Sequence, residues 1–177
     1  MVTVSRKMCL IGDFGVGKTS LIRRFVDGQF SDKYLSTVGV KISRKTITPQ
    51  IEDKTADNST NDLQLLIWDL EGHTKFKAIA PSYLQGSRGA LIVADVSRPE
   101  TIERIPEHLG LFFSVNPQGC VIIALNKIDL IDPEKAVELV QSSQSNYADK
   151  VLSVYSTSAK TGKYVETIFE HLAMHMT

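Results

Sequence analysis

Five short apolar runs punctuate the chain: Met8–Ile11, Leu63–Trp68, Ala90–Ala94, Val121–Leu125 and Val151–Tyr155. Near-continuous apolarity over so few residues suits a strand covered on both faces. A weaker sixth candidate, Lys41–Ile47, sets Ile42 and Ile47 among polar residues and suits an edge strand. Helical spacing falls between the runs. Leu21, Ile22, Phe25 and Val26 share one face over Ser20–Val26, and Val165, Ile168, Phe169 and Leu172 form the buried stripe of a last helix. Ser97-Arg98-Pro99-Glu100 reads as a capping box opening another helix, which Pro106 should kink or interrupt. Asp132-Pro133 supplies an N-cap and an N1 proline to a helix reaching roughly Gln141. Alternating strands and helices predict an α/β fold: a mainly parallel six-stranded sheet, one antiparallel edge strand, and helices on both faces. The polar stretch Thr48–Asp62 is far longer than a tight hairpin and reads as an exposed, mobile extension. Internal repeats and low-complexity tracts are absent.

In such sheets ligands sit beyond the carboxyl ends of the strands. Four motifs fall there. Gly12-Asp13-Phe14-Gly15-Val16-Gly17-Lys18-Thr19 follows the first run and precedes a helix, the context of a phosphate-binding loop. Asp69-Leu70-Glu71-Gly72, Asn126-Lys127-Ile128-Asp129 and Ser158-Ala159-Lys160 follow the second, fourth and fifth runs. Placement of all four on one edge is worth more than any single match, since a lone DxxG is usually a plain turn.

Backbone N–H groups of the first loop, from Gly15 through Ser20, can surround phosphate oxygens at the positive end of the following helix. Lys18 would neutralise the outer phosphates, and Thr19 offers a hydroxyl to Mg²⁺. Asp69 can hold a water of the same metal shell, and Gly72 can bring a bare N–H to a γ-phosphate oxygen where a side chain would obstruct. Asn126–Asp129 points to guanine. One carboxylate accepts from both N1–H and N2–H₂ of that base, whereas adenine would leave Asp129 one bond short and facing a lone pair. The mispairing costs on the order of 2–4 kcal/mol. Asn126 can tie loops together or bond the base, and the Lys127 stem can lie along the ring.

At 177 residues the chain suits one domain over 1–177. Twenty Lys and Arg balance twenty Asp and Glu, which argues against a general nucleic-acid binder and against electrostatic attachment to an anionic membrane. No run approaches the ~20 apolar residues of a bilayer span, and Met1–Leu10 shows no signal peptide. Cys9 and Cys120 lie in apolar runs and read as two buried, reduced thiols, consistent with the cytoplasm. Ala173–Thr177 contains no cysteine to prenylate and Met1-Val2 no glycine to myristoylate, so no intrinsic membrane anchor is expected of this chain unless a trimmed tail carried one. A monomer is expected. His108, His171 and His175 read as partly exposed helix residues, and Arg23-Arg24 and Arg6-Lys7 as solvated faces.

Taken together, the chain resembles the small GTPases of the Ras superfamily, most closely the Rab branch, from about residue 5 to residue 172. Beyond the four motifs the likeness runs through Leu21–Phe30, Ser36–Val40, Leu65–Gly72, Phe76–Tyr83 and Gly89–Ser97. It implies a P-loop fold, GTP and GDP as ligands, Mg²⁺ as cofactor, and effector, exchange-factor and activating proteins meeting two switches, 31–41 and 70–82. By the same likeness Phe30 packs on the guanine and Tyr34 joins the nucleotide contacts. Thr37 ligates Mg²⁺ and reaches the γ-phosphate, and the Ala159 N–H meets guanine O6, flanked by Ser158 and Lys160. The catalytic set implied is His73, Gly72, Thr37 and Lys18.

Three departures stand out. His73 replaces the glutamine that orients the attacking water, Glu71 replaces alanine, and Phe14 fills a position that is often glycine or small. Slow GTP hydrolysis is therefore expected, with Glu71 turned towards solvent or paired with a cation such as His73. The alternative is a GTP-binding scaffold or pseudo-GTPase that barely hydrolyses. An adenine-specific P-loop kinase or ATPase would need a base site other than Asn126–Asp129.

Overall fold

The computed structural model describes residues 3–33, 38–48, 62–72 and 80–176. Its centre is β1 (Val4–Ile11), parallel to β3 (Leu63–Leu70) on one side and to β4 (Gly89–Asp95) on the other. The sheet continues through β5 (Cys120–Asn126) to β6 (Ser153–Ser156), both parallel. At the opposite edge β2 (Val40–Ile47) runs antiparallel to β3, from Val40↔Leu70 to Ile47↔Leu63. The order β2-β3-β1-β4-β5-β6 gives the six strands, and the one antiparallel edge strand, that the sequence predicts. It also reverses direction at β1, so a crevice opens beyond the carboxyl end of that strand.

The period-two alternation of β1 divides the core. Met8 and Leu10 face α1 (Lys18–Asp27) and α6 (Val165–His175), meeting Leu21, Ile22, Phe25, Ile168, Phe169 and Leu172. Cys9 and Ile11 lie on the other face, in one buried cluster with Leu84 of α2 (Ala80–Leu84), Leu109 and Phe112 of α4 (Ile105–Val115) and Ala136 of α5 (Pro133–Tyr147). Each fully buried leucine or isoleucine contributes about 2 kcal/mol by leaving water. The Phe25 and Phe169 rings stack 4.2 Å apart, locking α1 to α6. At the far end of the sheet Arg6 Nε donates to Met176 O (2.9 Å), and a Cβ added to Gly89 would lie 2.7 Å from Met176 Sδ. The end of α6 is thus fastened beneath the amino ends of β1 and β4.

Several local expectations change. α3 (Pro99–Glu103) opens without the expected capping box: Arg98 occupies the N-cap position, and the Ser97 hydroxyl donates instead to Asp95 Oδ1 (2.6 Å). The break before Pro106 does occur, since α3 ends at Glu103 and α4 starts at Ile105. α5 runs to Tyr147, well past Gln141, because Val140 and Tyr147 continue its contact with the core and Gln144 Oε1 accepts the Val154 N–H (3.1 Å). That longer helix delays β6, with Val151 N–H bonding back to Tyr147 O (3.1 Å). Arg6-Lys7 is not a solvated face: besides the Arg6 bond, Lys7 Nζ lies 3.7 Å from the Trp68 ring centroid and donates to Tyr83 O and Gln85 O. Cys9 is buried, but Cys120 is only partly so. Thr48 Oγ1 donates to Asp62 Oδ1 (2.8 Å) at the base of the expected 48–62 extension, whose residues 49–61 lie outside the described residues.

Candidate functional site

The loop 12–17 leaves β1 and turns into α1 at Gly17, whose φ of +103° disfavours any side chain; a Cβ there would also lie 2.3 Å from Asn126 Nδ2. Val16 is wholly buried in the core, and its carbonyl accepts from Asn126 Nδ2 (3.0 Å). The other side of that amide, Oδ1, accepts from Thr157 Oγ1 (3.1 Å). Asn126 therefore ties the first and third motifs to the residue just before the fourth, one of its two expected roles. Lys127, in the left-handed region at φ +64°, sends Nζ to Gly15 O (2.7 Å) and to Asp95 Oδ2 (2.9 Å). Burial works against ionised Asp95, but the hydrogen bonds from Lys127 and Ser97 prevail and hold its carboxyl below the usual carboxylate range. Asp129 Oδ1 accepts from Ser158 Oγ (2.7 Å), which fixes the carboxylate at the cleft mouth.

These loops enclose a cleft of about 280 Å³. Its walls include Phe14, Gly15, Gly17, Lys18, Thr19 and Ser20 from the first loop; Phe30; Leu70 and Gly72; Asn126, Lys127 and Asp129; and Ala159 and Lys160. Of the expected nucleotide residues, Val16 and Ser158 do not line it: both are buried and act through the bonds just described. His73, Tyr34 and Thr37 lie outside the described residues, as do most of 70–82 and the middle of 31–41.

Lys18 is 6% exposed, and its Nζ donates to Gly12 O (2.9 Å) and Asp13 O (3.0 Å). Burial pushes its ammonium down to about 8, against the opposing pull of Asp69 and Asp13. A buried cation held by two carbonyls in an open cleft is suited to an anionic ligand, which would restore its charge balance. Beside it the Thr19 hydroxyl donates to Asp69 Oδ2. A hydroxyl and a carboxylate meeting at the cleft wall are hard oxygen donors, the set that fits Mg²⁺. Among the described residues no cluster of three or more His, Cys, Asp or Glu forms a metal cage; Mg²⁺ needs none, since it commonly uses one or two carboxylates and substrate phosphates.

Gly72 explains its own identity. A Cβ there would lie 2.5 Å from Phe14 N and 2.6 Å from Asp13 C, so the second motif packs backbone to backbone on the first loop. Glu71, expected to face solvent or a cation, uses its Oε2 to accept the Gly39 N–H (2.8 Å); His73, the cation named for it, lies outside the described residues.

One cluster escaped the sequence reading. Asp13 is buried; its Oδ2 accepts from Arg104 Nη1 (2.5 Å) and its Oδ1 from His108 Nε2 (3.0 Å). Burial draws the imidazole below its ordinary value of 6.5, although Asp13 pulls the other way. A carboxylate only accepts, so the neutral ring donates from Nε2. His108 is thus a buried anchor of the loop, not the partly exposed surface residue expected. Its position in the series Ile105, His108, Leu109, Phe112, all buried at helical spacing, was the available signal. Arg98 Nη1 completes the grip at Phe14 O (2.8 Å).

A buried lysine in a glycine-bent loop at a helix start, a hydroxyl–carboxylate pair beside it and a fixed carboxylate in the same cleft define a P-loop nucleotide-binding protein. The chain belongs to the Ras family, whose sequence model matches residues 7–177, and within that superfamily to the Rab branch of small GTPases. It is 33% identical over 174 residues to the GTP-binding protein ypt5 of Schizosaccharomyces pombe, spanning 98% of this chain and 78% of that protein. It is 35% identical over 166 residues to the Ras-related protein Rab-22A of Homo sapiens (92% and 79%), and 32% over 175 residues to the Ras-related protein RABF2b of Arabidopsis thaliana (98% and 82%). Family membership carries GTP and GDP binding, typically with Mg²⁺, GTPase activity in general, and interaction with effectors and regulators. Among the described residues no helix is long and apolar enough to cross a membrane.

Proposed function

We propose that this chain is a Rab-like switch that binds GTP or GDP with Mg²⁺ and hydrolyses GTP slowly, by in-line attack of water. The observation that carries the reading is the cleft itself, which brings Lys18, Thr19 and Gly72, suited to phosphates, into one wall with Asn126, Lys127, Asp129 and Ala159, suited to a guanine base.

Loop amides from Gly15 to Ser20 hold the phosphates, and the Lys18 ammonium leaves its two carbonyl partners for the β- and γ-oxygens. Thr19 and Thr37 would hold Mg²⁺ directly and Asp69 through a water. When bound, the metal neutralises charge shared between the β- and γ-phosphates. The Gly72 N–H bonds a γ-oxygen, and His73 positions the attacking water. Asp129 reads N1 and N2 of guanine while Ser158 keeps its carboxylate oriented, Ala159 N–H meets O6, and Phe30, Tyr34 and Lys160 close over base and ribose. Segments 31–41 and 70–82 act as switches presented to effectors, exchange factors and activating proteins, with the protein in the cytoplasm and peripherally at membranes.

Slow turnover follows from two residues. His73 has a stiffer ring than glutamine and loses its acceptor when protonated. Phe14, 42% exposed at the cleft wall, crowds the approach of an activator's arginine. Single-turnover hydrolysis of radiolabelled GTP tests this: His73→Gln should raise the rate several-fold, and a wild-type protein faster than the variant refutes it.

A further inference from the structure

Glu71 makes a connection that its motif does not require. Its backbone N–H donates to Gly39 O (2.9 Å), and its side-chain Oε2 accepts the Gly39 N–H (2.8 Å). One residue therefore takes both backbone polar groups of Gly39, closing a ring just beyond Val40↔Leu70, the last pair of the β2–β3 ladder. Gly39 adopts φ +73° with nothing within 4 Å of an added Cβ, so backbone conformation and not crowding calls for glycine there. The next residue along, Gly72, rests on the Asp13–Phe14 backbone. The ring thus stands one residue from the phosphate loop, and the alanine it replaces in the family pattern has no acceptor to form it.

We propose that Glu71 is an interswitch clasp. Its carboxylate fastens Gly39, just before β2, to the stretch Leu70–Gly72, so that the Gly39 backbone and the Gly72 contact on the phosphate loop hold as one unit. The effect on nucleotide rests on the function proposed above; the clasp itself is a property of the folded chain. What matters is an acceptor oxygen at the reach of a glutamate side chain, not its negative charge alone. A loosened clasp frees the Gly39 amide to open and loosens Gly72 against the phosphate loop, which hastens nucleotide escape.

The test uses the full chain and two variants, Glu71→Ala and Glu71→Gln, the second keeping a side-chain carbonyl at the same reach. Hydrogen exchange of the Gly39 amide is followed by NMR, and release of a fluorescent GDP by stopped flow. In Glu71→Ala both exchange and release should quicken about tenfold, the effect of losing one charge-assisted hydrogen bond at a half-buried site. Glu71→Gln should stay within about threefold of wild type in both, as a neutral bond retains much of the contact. Unchanged Gly39 exchange in Glu71→Ala, unchanged GDP release with faster exchange, or Glu71→Gln as impaired as Glu71→Ala would each overturn the proposal. If the chain binds no guanine nucleotide, the proposed function falls, and Gly39 exchange alone then decides whether the clasp exists.

Discussion

Replacing Gly72 with alanine perturbs the contact between the second motif and the phosphate loop while adding only one methyl group. The new Cβ would meet Phe14 N at 2.5 Å, Asp13 C at 2.6 Å and Asp13 O at 2.8 Å, all backbone atoms, whereas ordinary contact begins at 3.4 Å. Rotamer change offers no relief, because the loop is held by Arg104 and His108 at Asp13 and by Arg98 at Phe14. Residue 72 must therefore back away by about 1 Å, at an overpacking cost of ~1–3 kcal/mol. That strain is present in every nucleotide state. A hydrogen bond near 2.9 Å stretched by the same amount ceases to be one, so the γ-phosphate loses a charge-assisted partner worth about 1.5–3 kcal/mol. The triphosphate should then bind roughly 10- to 150-fold more weakly relative to the diphosphate, which has no γ-oxygen to lose. Competition of a non-hydrolysable GTP analogue, and separately of GDP, against a fluorescent GDP reads the ratio directly, with thermal unfolding as a control for the shared strain. A destabilised protein whose triphosphate-to-diphosphate ratio equals wild type would refute the assigned contact.

Asp129→Asn converts the acceptor pair into one acceptor and one donor, so GTP affinity should fall by about tenfold or more while xanthosine triphosphate gains; unchanged GTP affinity in a titration would place the base elsewhere. Lys18 carries a pH signature. With its ammonium at about 8 in the nucleotide-free protein, and phosphates favouring the charged form, binding must take up a proton from pH 8 upwards, so affinity falls as pH rises through that range. Calorimetry at pH 8 in two buffers of different ionisation enthalpy should reveal the uptake, and identical heats in both would contradict it.

The sheet was legible because apolar runs such as Ala90–Ala94 and Val121–Leu125 are buried along their whole length, where pattern and environment coincide. The cleft was legible because its parts are local: a glycine-bent turn after one strand, and short motifs after others. What escaped depended on partners distant in sequence. Ser97 makes a good capping residue only if Asp95, two positions earlier, does not claim its hydroxyl. Helix α5 continues through the polar stretch after Gln141 on contacts at Val140, Ser143 and Tyr147, too sparse for a period to stand out. His108 and Asp13 lie 95 positions apart, and nothing local to either predicts their bond. Glu71 was the clearest departure from the family pattern, yet the neighbour that receives it is a backbone amide, which no side-chain pattern announces.

The fastening of Met176 to Arg6 and Gly89 settles how the molecule can be held. Those contacts lie at the amino ends of the parallel strands, while the cleft lies beyond their carboxyl ends. Along β1 alone, the five steps from Arg6 to Ile11 separate them by roughly 17 Å at ~3.3 Å per residue. A bead, dye or sensor surface coupled just after residue 176 would therefore sit behind the sheet, leaving the cleft facing the solution. Orientation on such a surface is a matter of where α6 is pinned, and the pin is on the back of the molecule.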